Sequence, residues 1–236
     1  MQLFINSLLH GLRDTFLSFI IPKTFSWNWG PVDTTEGFFP LPLDQSHYHI
    51  LRPYDVPEDQ RYSFMNGVHK CWVYSTDKTH TRTSQTKPRT KIARHTTYLL
   101  TTHQVCRCYG SLTSGYGYSS GVWQFEGYGY VPNGTSGVCI MQVFGTSPPL
   151  ATTIMIRGPV LEPNIYDRWF RLNVIHNVDA AKVSKVYVDV HLKLVAEASG
   201  GNSHAFKCGV YAQNDDSGLF MESRWKGIKV VRKCDS

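Results

Sequence analysis

From Asp33 onward, apolar and polar residues alternate in short runs broken by Gly, Pro, Asn and Asp. That period of two is the mark of half-buried strands. Glu36–Pro40 and Asp44–Leu51 read as strands, and Pro53 and Pro57 mark a loop after them. In Val68–Tyr74, Cys71 and Val73 oppose Trp72 and Tyr74. In Val122–Val131, Trp123, Phe125 and Val131 share a face with two glycines, against Gln124, Glu126, Tyr128 and Tyr130. Val131-Pro132-Asn133-Gly134 is a turn signal, which makes Val138–Phe144 the returning strand. Trp169–His176 and Val186–Leu194 continue the series, the latter with Val186, Val188, Val190, Leu192 and Leu194 on one side. Many strands, frequent turn residues and little helical periodicity predict an all-β sandwich.

Phe206–Gln213 carries the most chemistry. Phe206, Cys208, Val210 and Ala212 form a small apolar face that belongs in a core. Lys207, Tyr211 and Gln213 line the other face, with Gly209 leaving room beside the tyrosine. A row of ammonium, phenol and amide groups predicts the floor of a binding groove.

Length and charge narrow the reading. The 236 residues fit one β-sandwich domain, assigned to 33–236, after an N-terminal segment, 1–32. Met1–Pro22 is apolar but broken by Arg13 and Asp14, too interrupted for a membrane span. Phe4, Leu8, Leu12, Phe16 and Ile20 recur every four residues, and no clean cleavage site follows, so the segment reads as a degraded or mis-started leader. A net charge of +6 points to acidic partners. No lysine-arginine run or recognition-helix pattern supports nucleic acid. Cys71, Cys139 and Cys208 lie in strand-like sequence as free buried thiols. Cys106, Cys108, His95 and His103 match no zinc spacing, and His47 and His49 lack a third ligand, so neither a metal nor a cofactor is expected.

Phe206–Gln213 resembles the tyrosine strand of alginate lyases of polysaccharide lyase family seven. Asn214–Ser217 and Met221–Lys229 resemble a narrower group, the plant citrate-binding proteins. The resemblance extends through Arg52–Pro57, Gln60-Arg61-Tyr62, Val122–Tyr130 and Asn164–Arg171. It implies a concanavalin-type jelly roll with a concave groove and a secretory-pathway location (vacuole or extracellular); the chain is expected to be a monomer. Three places depart from the family pattern. Block 94–114 is basic and threonine-rich, and reads as an insertion, either a surface loop or, preferred, translated intron. Arg157–Pro159 is contracted. At Asp189-Val190-His191 an expected Asp-Gly turn has lost its glycine, which disfavours a two-residue type I′ turn.

In such lyases, a base removes the C5 proton of a uronate while an acid serves the leaving oxygen and cations neutralise the carboxylate. The resemblance places those roles on three strands. Here the first keeps Arg89 but has Lys91 at the glutamate position and Ala93 at the second arginine. The second keeps Gln142, while Phe144 replaces the histidine; the third keeps Lys207, Tyr211 and Gln213. A phenol with an ordinary pKa of about 10 is roughly a thousandth ionised at pH 7, a handicap of about 4 kcal/mol that neighbouring cations reduce. The expectation is therefore a groove of Arg89, Lys91, Gln142, Lys207, Tyr211 and Gln213 that binds a polycarboxylate such as citrate, or an acidic sugar. The alternatives are a uronate lyase with Tyr211 as acid and base, and a wall-glycan lectin using Trp72, Tyr128 and Tyr130.

Overall fold

The structure, a computed structural model, describes residues 36–233 apart from 42, 44–46, 95–111, 114–116, 146–151, 157–160, 180–182, 198–202 and 214–216. The expected leader, the contraction at Arg157–Pro159, the interior of block 94–114 and the run Asn214–Asp216 lie outside the described residues.

The alternating segments build two antiparallel sheets. The larger runs β13 (His191–Glu197), β12 (Val183–Val188), β11 (Trp169–Asn177), β8 (Val122–Tyr130), β15 (Phe220–Lys233), β4 (Val68–Tyr74) and β3 (Tyr62–Met65), with β1 (Phe38–Pro40) on the far half of β15. The smaller runs β10 (Thr152–Ile156), β9 (Val138–Gly145), β14 (His204–Ala212), β5 (Arg89–Arg94) and β2 (Tyr48–Leu51). A short hairpin of β6 (Leu112–Thr113) and β7 (Gly117–Tyr118) joins this sheet at β14. Block 94–114 thus meets regular structure at both ends, since Arg94 pairs with Tyr48 and Leu112 with Tyr118.

The inner faces follow the predicted alternation. Phe206, Cys208 and Val210 of β14, with Ile92 and Val143, pack against Cys71, Val73, Phe125 and Trp225 of the other sheet. Phe125 meets Trp225 edge-on at 5.7 Å and Phe206 at 6.1 Å, so one ring joins the two layers. Each such side chain contributes about 1.5–3 kcal/mol by leaving water. Cys71, Cys139 and Cys208 are free and buried, as their neighbours in sequence suggest.

Three readings are corrected. Val138–Gly145 does not return beside Val122–Tyr130; the turn at Asn133-Gly134 carries the chain into the other sheet, where β9 pairs with β14 and β10. Val186–Leu194 is not one strand, because a two-residue turn at Asp189-Val190 separates β12 from β13. Both turn residues have positive φ, 48° and 63°, despite the missing glycine. Asp189 anchors this turn by accepting from Arg168 Nη1 at 2.6 Å and from the Arg171 N–H at 2.8 Å. Finally, Gly209 serves the backbone rather than giving space to Tyr211. Its φ is +139°, the register with β9 shifts beside it, and a Cβ there would lie 2.3 Å from the Thr90 carbonyl oxygen.

Candidate functional site

The outer face of the smaller sheet carries the site. Antiparallel register sets Lys207 between Ala93 and Gln142, and Tyr211 opposite Arg89; Gly209 lies opposite Lys91. Thr90, between Arg89 and Lys91, turns to the other side and donates to the Trp72 carbonyl at 2.9 Å, tying β5 to β4 beneath the site.

The side chains lock together. The Arg89 guanidinium lies 3.9 Å from the Tyr211 ring centroid, and the Lys91 ammonium lies 4.5 Å from the same ring. Lys91 Nζ donates to Gln142 Oε1 at 2.6 Å. Arg89 also donates to the Thr86 hydroxyl, while its Nε has no partner among the described residues. Lys207 Nζ sits 3.6 Å above the centre of the Phe144 ring. Phe144 thus gives Lys207 a cation–π partner and carries no proton itself.

Burial and mutual repulsion disfavour these charges. Lys91 is wholly buried, and desolvation lowers its ammonium pKa to about 8. Lys207 is lowered to about 7, by desolvation first and then by Lys91 and Arg89. Arg89, 7% exposed, is also lowered by burial. Among the described residues, no carboxylate contributes to any of these three shifts.

Five of the six predicted site residues come together: Arg89, Lys91, Gln142, Lys207 and Tyr211. Their roles differ. The Lys91 ammonium is engaged with Gln142 and Tyr211, so it braces the site from below. Gln213 lies past the end of β14, and its amide nitrogen donates to the Tyr211 and Ala212 carbonyls. It is not brought into the cluster.

Sequence reasoning missed His80, in the connection from β4 to β5. Its imidazole pKa is lowered to about 4, by burial first and then by the charges of Arg89, Lys207 and Lys91. The connection has no strand periodicity, so alternation gave no sign of it. His49 pairs with Ala93 in the row that continues to Lys207, on the edge strand. Among the described residues, no group of three or more His, Cys, Asp or Glu could hold a metal ion.

A two-sheet jelly roll with this strand constellation defines a class. The alginate lyase family profile matches residues 41–232, and the chain belongs to that family. Within it, the chain is 40% identical over 210 residues to a citrate-binding protein of Hevea brasiliensis, covering 85% of this chain and 79% of that one. The fold is also that of an alginate lyase from Corynebacterium sp., with a TM-score of 0.51 at 10% identity over 80% of this chain and 95% of that one. The Pseudomonas aeruginosa alginate lyase PA1167 gives a TM-score of 0.52 at 13% identity, over 80% of this chain and all, 100%, of that one.

Proposed function

We propose that this chain binds a small polycarboxylate, or the carboxylate of an acidic sugar, on the Arg89–Lys207–Tyr211 face. One observation carries this: three cations converge there and, among the described residues, no carboxylate neutralises them. A buried charge without a counterion costs several kcal/mol, and a polyanionic ligand removes that cost on arrival. The outer face of the larger sheet supplies the contrast. There Arg171 and Lys229 reach Glu126 at 2.6 and 3.1 Å, and Arg224 and Lys70 reach Glu222 at 2.6 and 3.0 Å. Those cations are neutralised from within; the three on the smaller sheet have no carboxylate partner among the described residues. The similarity to a protein named for citrate binding supports citrate as the first ligand to test.

The test is calorimetry with citrate and with oligouronates. Arg89→Ala and Lys207→Ala should each weaken binding by roughly 1.5–3 kcal/mol, the scale of a charged hydrogen bond. Unchanged affinity in both variants would place the site elsewhere.

The lyase reading has one observation in its favour, the Tyr211 ring held between Arg89 and Lys91. The lectin reading points to a different surface. Trp72, Tyr128 and Tyr130 alternate with core residues of β4 and β8, so they lie on the outer face of the larger sheet. Binding there would show little dependence on salt, whereas binding at the cation cluster weakens as ionic strength rises.

A further inference from the structure

The turn that carries the chain from β8 to β9 holds a motif that the cation cluster does not use. Asn133-Gly134-Thr135 is the only Asn-X-Ser/Thr triplet in the sequence, and its middle residue is not proline. Asn133 and Gly134 are both exposed. Other residues fix the backbone there: the Asn133 N–H donates to Asp167 Oδ1 at 3.0 Å, and the Asp167 N–H donates to the Val131 carbonyl at 3.0 Å. The Asn133 side chain makes one bond, in which Oδ1 accepts from the Gly134 N–H at 3.0 Å, and its Nδ2 has no partner among the described residues. A glycan on Nδ2 keeps the amide carbonyl, so the bond to Gly134 survives and the turn need not change.

Thr135 sets the timing. Transfer of a glycan to asparagine requires the hydroxyl two residues on. In the folded chain Thr135 is only 3% exposed. Its Oγ1 donates to the Glu222 carbonyl at 3.3 Å and accepts from the Glu222 N–H at 3.2 Å. Glu222 lies 87 residues further on, in β15. At about 5–20 residues per second, on the order of ten seconds of synthesis separate the two. Through that interval the hydroxyl is free of β15; afterwards the strand closes over it.

We propose that Asn133 is an N-glycosylation site, filled on the growing chain in the secretory route and closed once β15 has docked. The co-reactant is an oligosaccharide carried on a lipid pyrophosphate. The transfer joins Nδ2 to the anomeric carbon of the sugar, the bond from that carbon to the pyrophosphate oxygen breaks, and the amide gives up one proton to a base. The lipid pyrophosphate leaves. This site is independent of the carboxylate-binding reading, and neither stands or falls with the other.

The experiment is translation of the full chain behind a cleavable leader in the presence of microsomes, with leader removal reporting entry. One glycan should be added, shed by a glycan-releasing amidase and lost in Asn133→Gln, whose backbone keeps its bond to Asp167. Thr135→Val should lose it as well, and Thr135→Ser should keep it. A second arm offers full-chain protein, made without the modification, to the solubilised transferase and a lipid-linked oligosaccharide. The folded chain should accept nothing. Trp225→Asp puts a carboxylate at a wholly buried core position of β15, which keeps that strand from docking, and this variant should be modified. A chain that enters the microsomes without gaining a glycan, or a glycan that persists in Asn133→Gln, overturns the site. Transfer to the folded chain as readily as to Trp225→Asp overturns the closure by β15.

Discussion

Lys207 shows how one residue turns a fold into a receptor. Its ammonium stands on the Phe144 ring, and desolvation, then Lys91 and Arg89, lower its pKa to about 7 from an ordinary 10.5. A lowered lysine pKa means that the folded chain holds fewer protons than the unfolded chain between those two values. This contribution therefore makes the fold more stable as pH rises through that window. A bound polyanion reverses the shift, because an opposite charge favours the ammonium. Citrate binding at about pH 8 should accordingly take up close to one proton at Lys207 and a further fraction at Lys91, lowered to about 8, and affinity should fall as pH rises above about 7. Calorimetry in buffers of differing ionisation enthalpy reads that uptake. An uptake unchanged in Lys207→Met would assign the proton to another group. Most of this residue's setting was legible in the sequence: Lys207 and Tyr211 share a face by alternation, and the register with Arg89, Lys91 and Gln142 follows from the paired strands. What alternation could not show is depth. Lys91 is wholly buried despite its outward position, because Gln142 and the Tyr211 ring close over it.

At the scale of elements, alternation located strands well and connections poorly. Val68–Tyr74 is found with its predicted bounds, and Val122–Tyr130 ends one residue before the predicted limit. The partners of a strand are set by the whole sandwich, which is why the turn at Asn133-Gly134 read as a hairpin and is a crossing between sheets. The β12–β13 hairpin shows the opposite error. Its turn forms without glycine because Arg168, Arg171 and the strand register over-determine it, with Val188 paired to His191. Val190, β-branched, then sits at φ 63°, where the left-handed conformation costs roughly 1–2 kcal/mol. Val190→Gly should raise stability by about 1 kcal/mol, since glycine removes the steric penalty but adds entropy to the unfolded chain. Denaturant titration measures this. A loss of stability would mean that the valine side chain contributes more by packing than its backbone costs.

For the whole molecule, the open question is whether a family built on lyase chemistry left activity in this chain. Catalysis on a uronate needs a base for C5, an acid for the leaving oxygen and charge on the carboxylate. The fold preserves the charge in Arg89 and Lys207 and the phenol of Tyr211 between Arg89 and Lys91. Where the resemblance expects a second arginine and an imidazole, the chain has Ala93, beside Lys207, and Phe144, under the Lys207 ammonium. The charges of the same cations, after burial, lower the His80 pKa to about 4, which makes it a weak base. Elimination yields an unsaturated uronate that absorbs in the ultraviolet, so turnover on alginate, glucuronan or polygalacturonate can be followed directly. We expect little or none from the unaltered chain. Phe144→His together with Ala93→Arg should raise trace activity, and Tyr211→Phe should abolish it. Robust turnover by the unaltered chain, lost in Tyr211→Phe but kept in His80→Phe, would make this a lyase that works through its tyrosine alone. An inactive restored variant that folds and still binds citrate would mean that the ancestral constellation now serves recognition only.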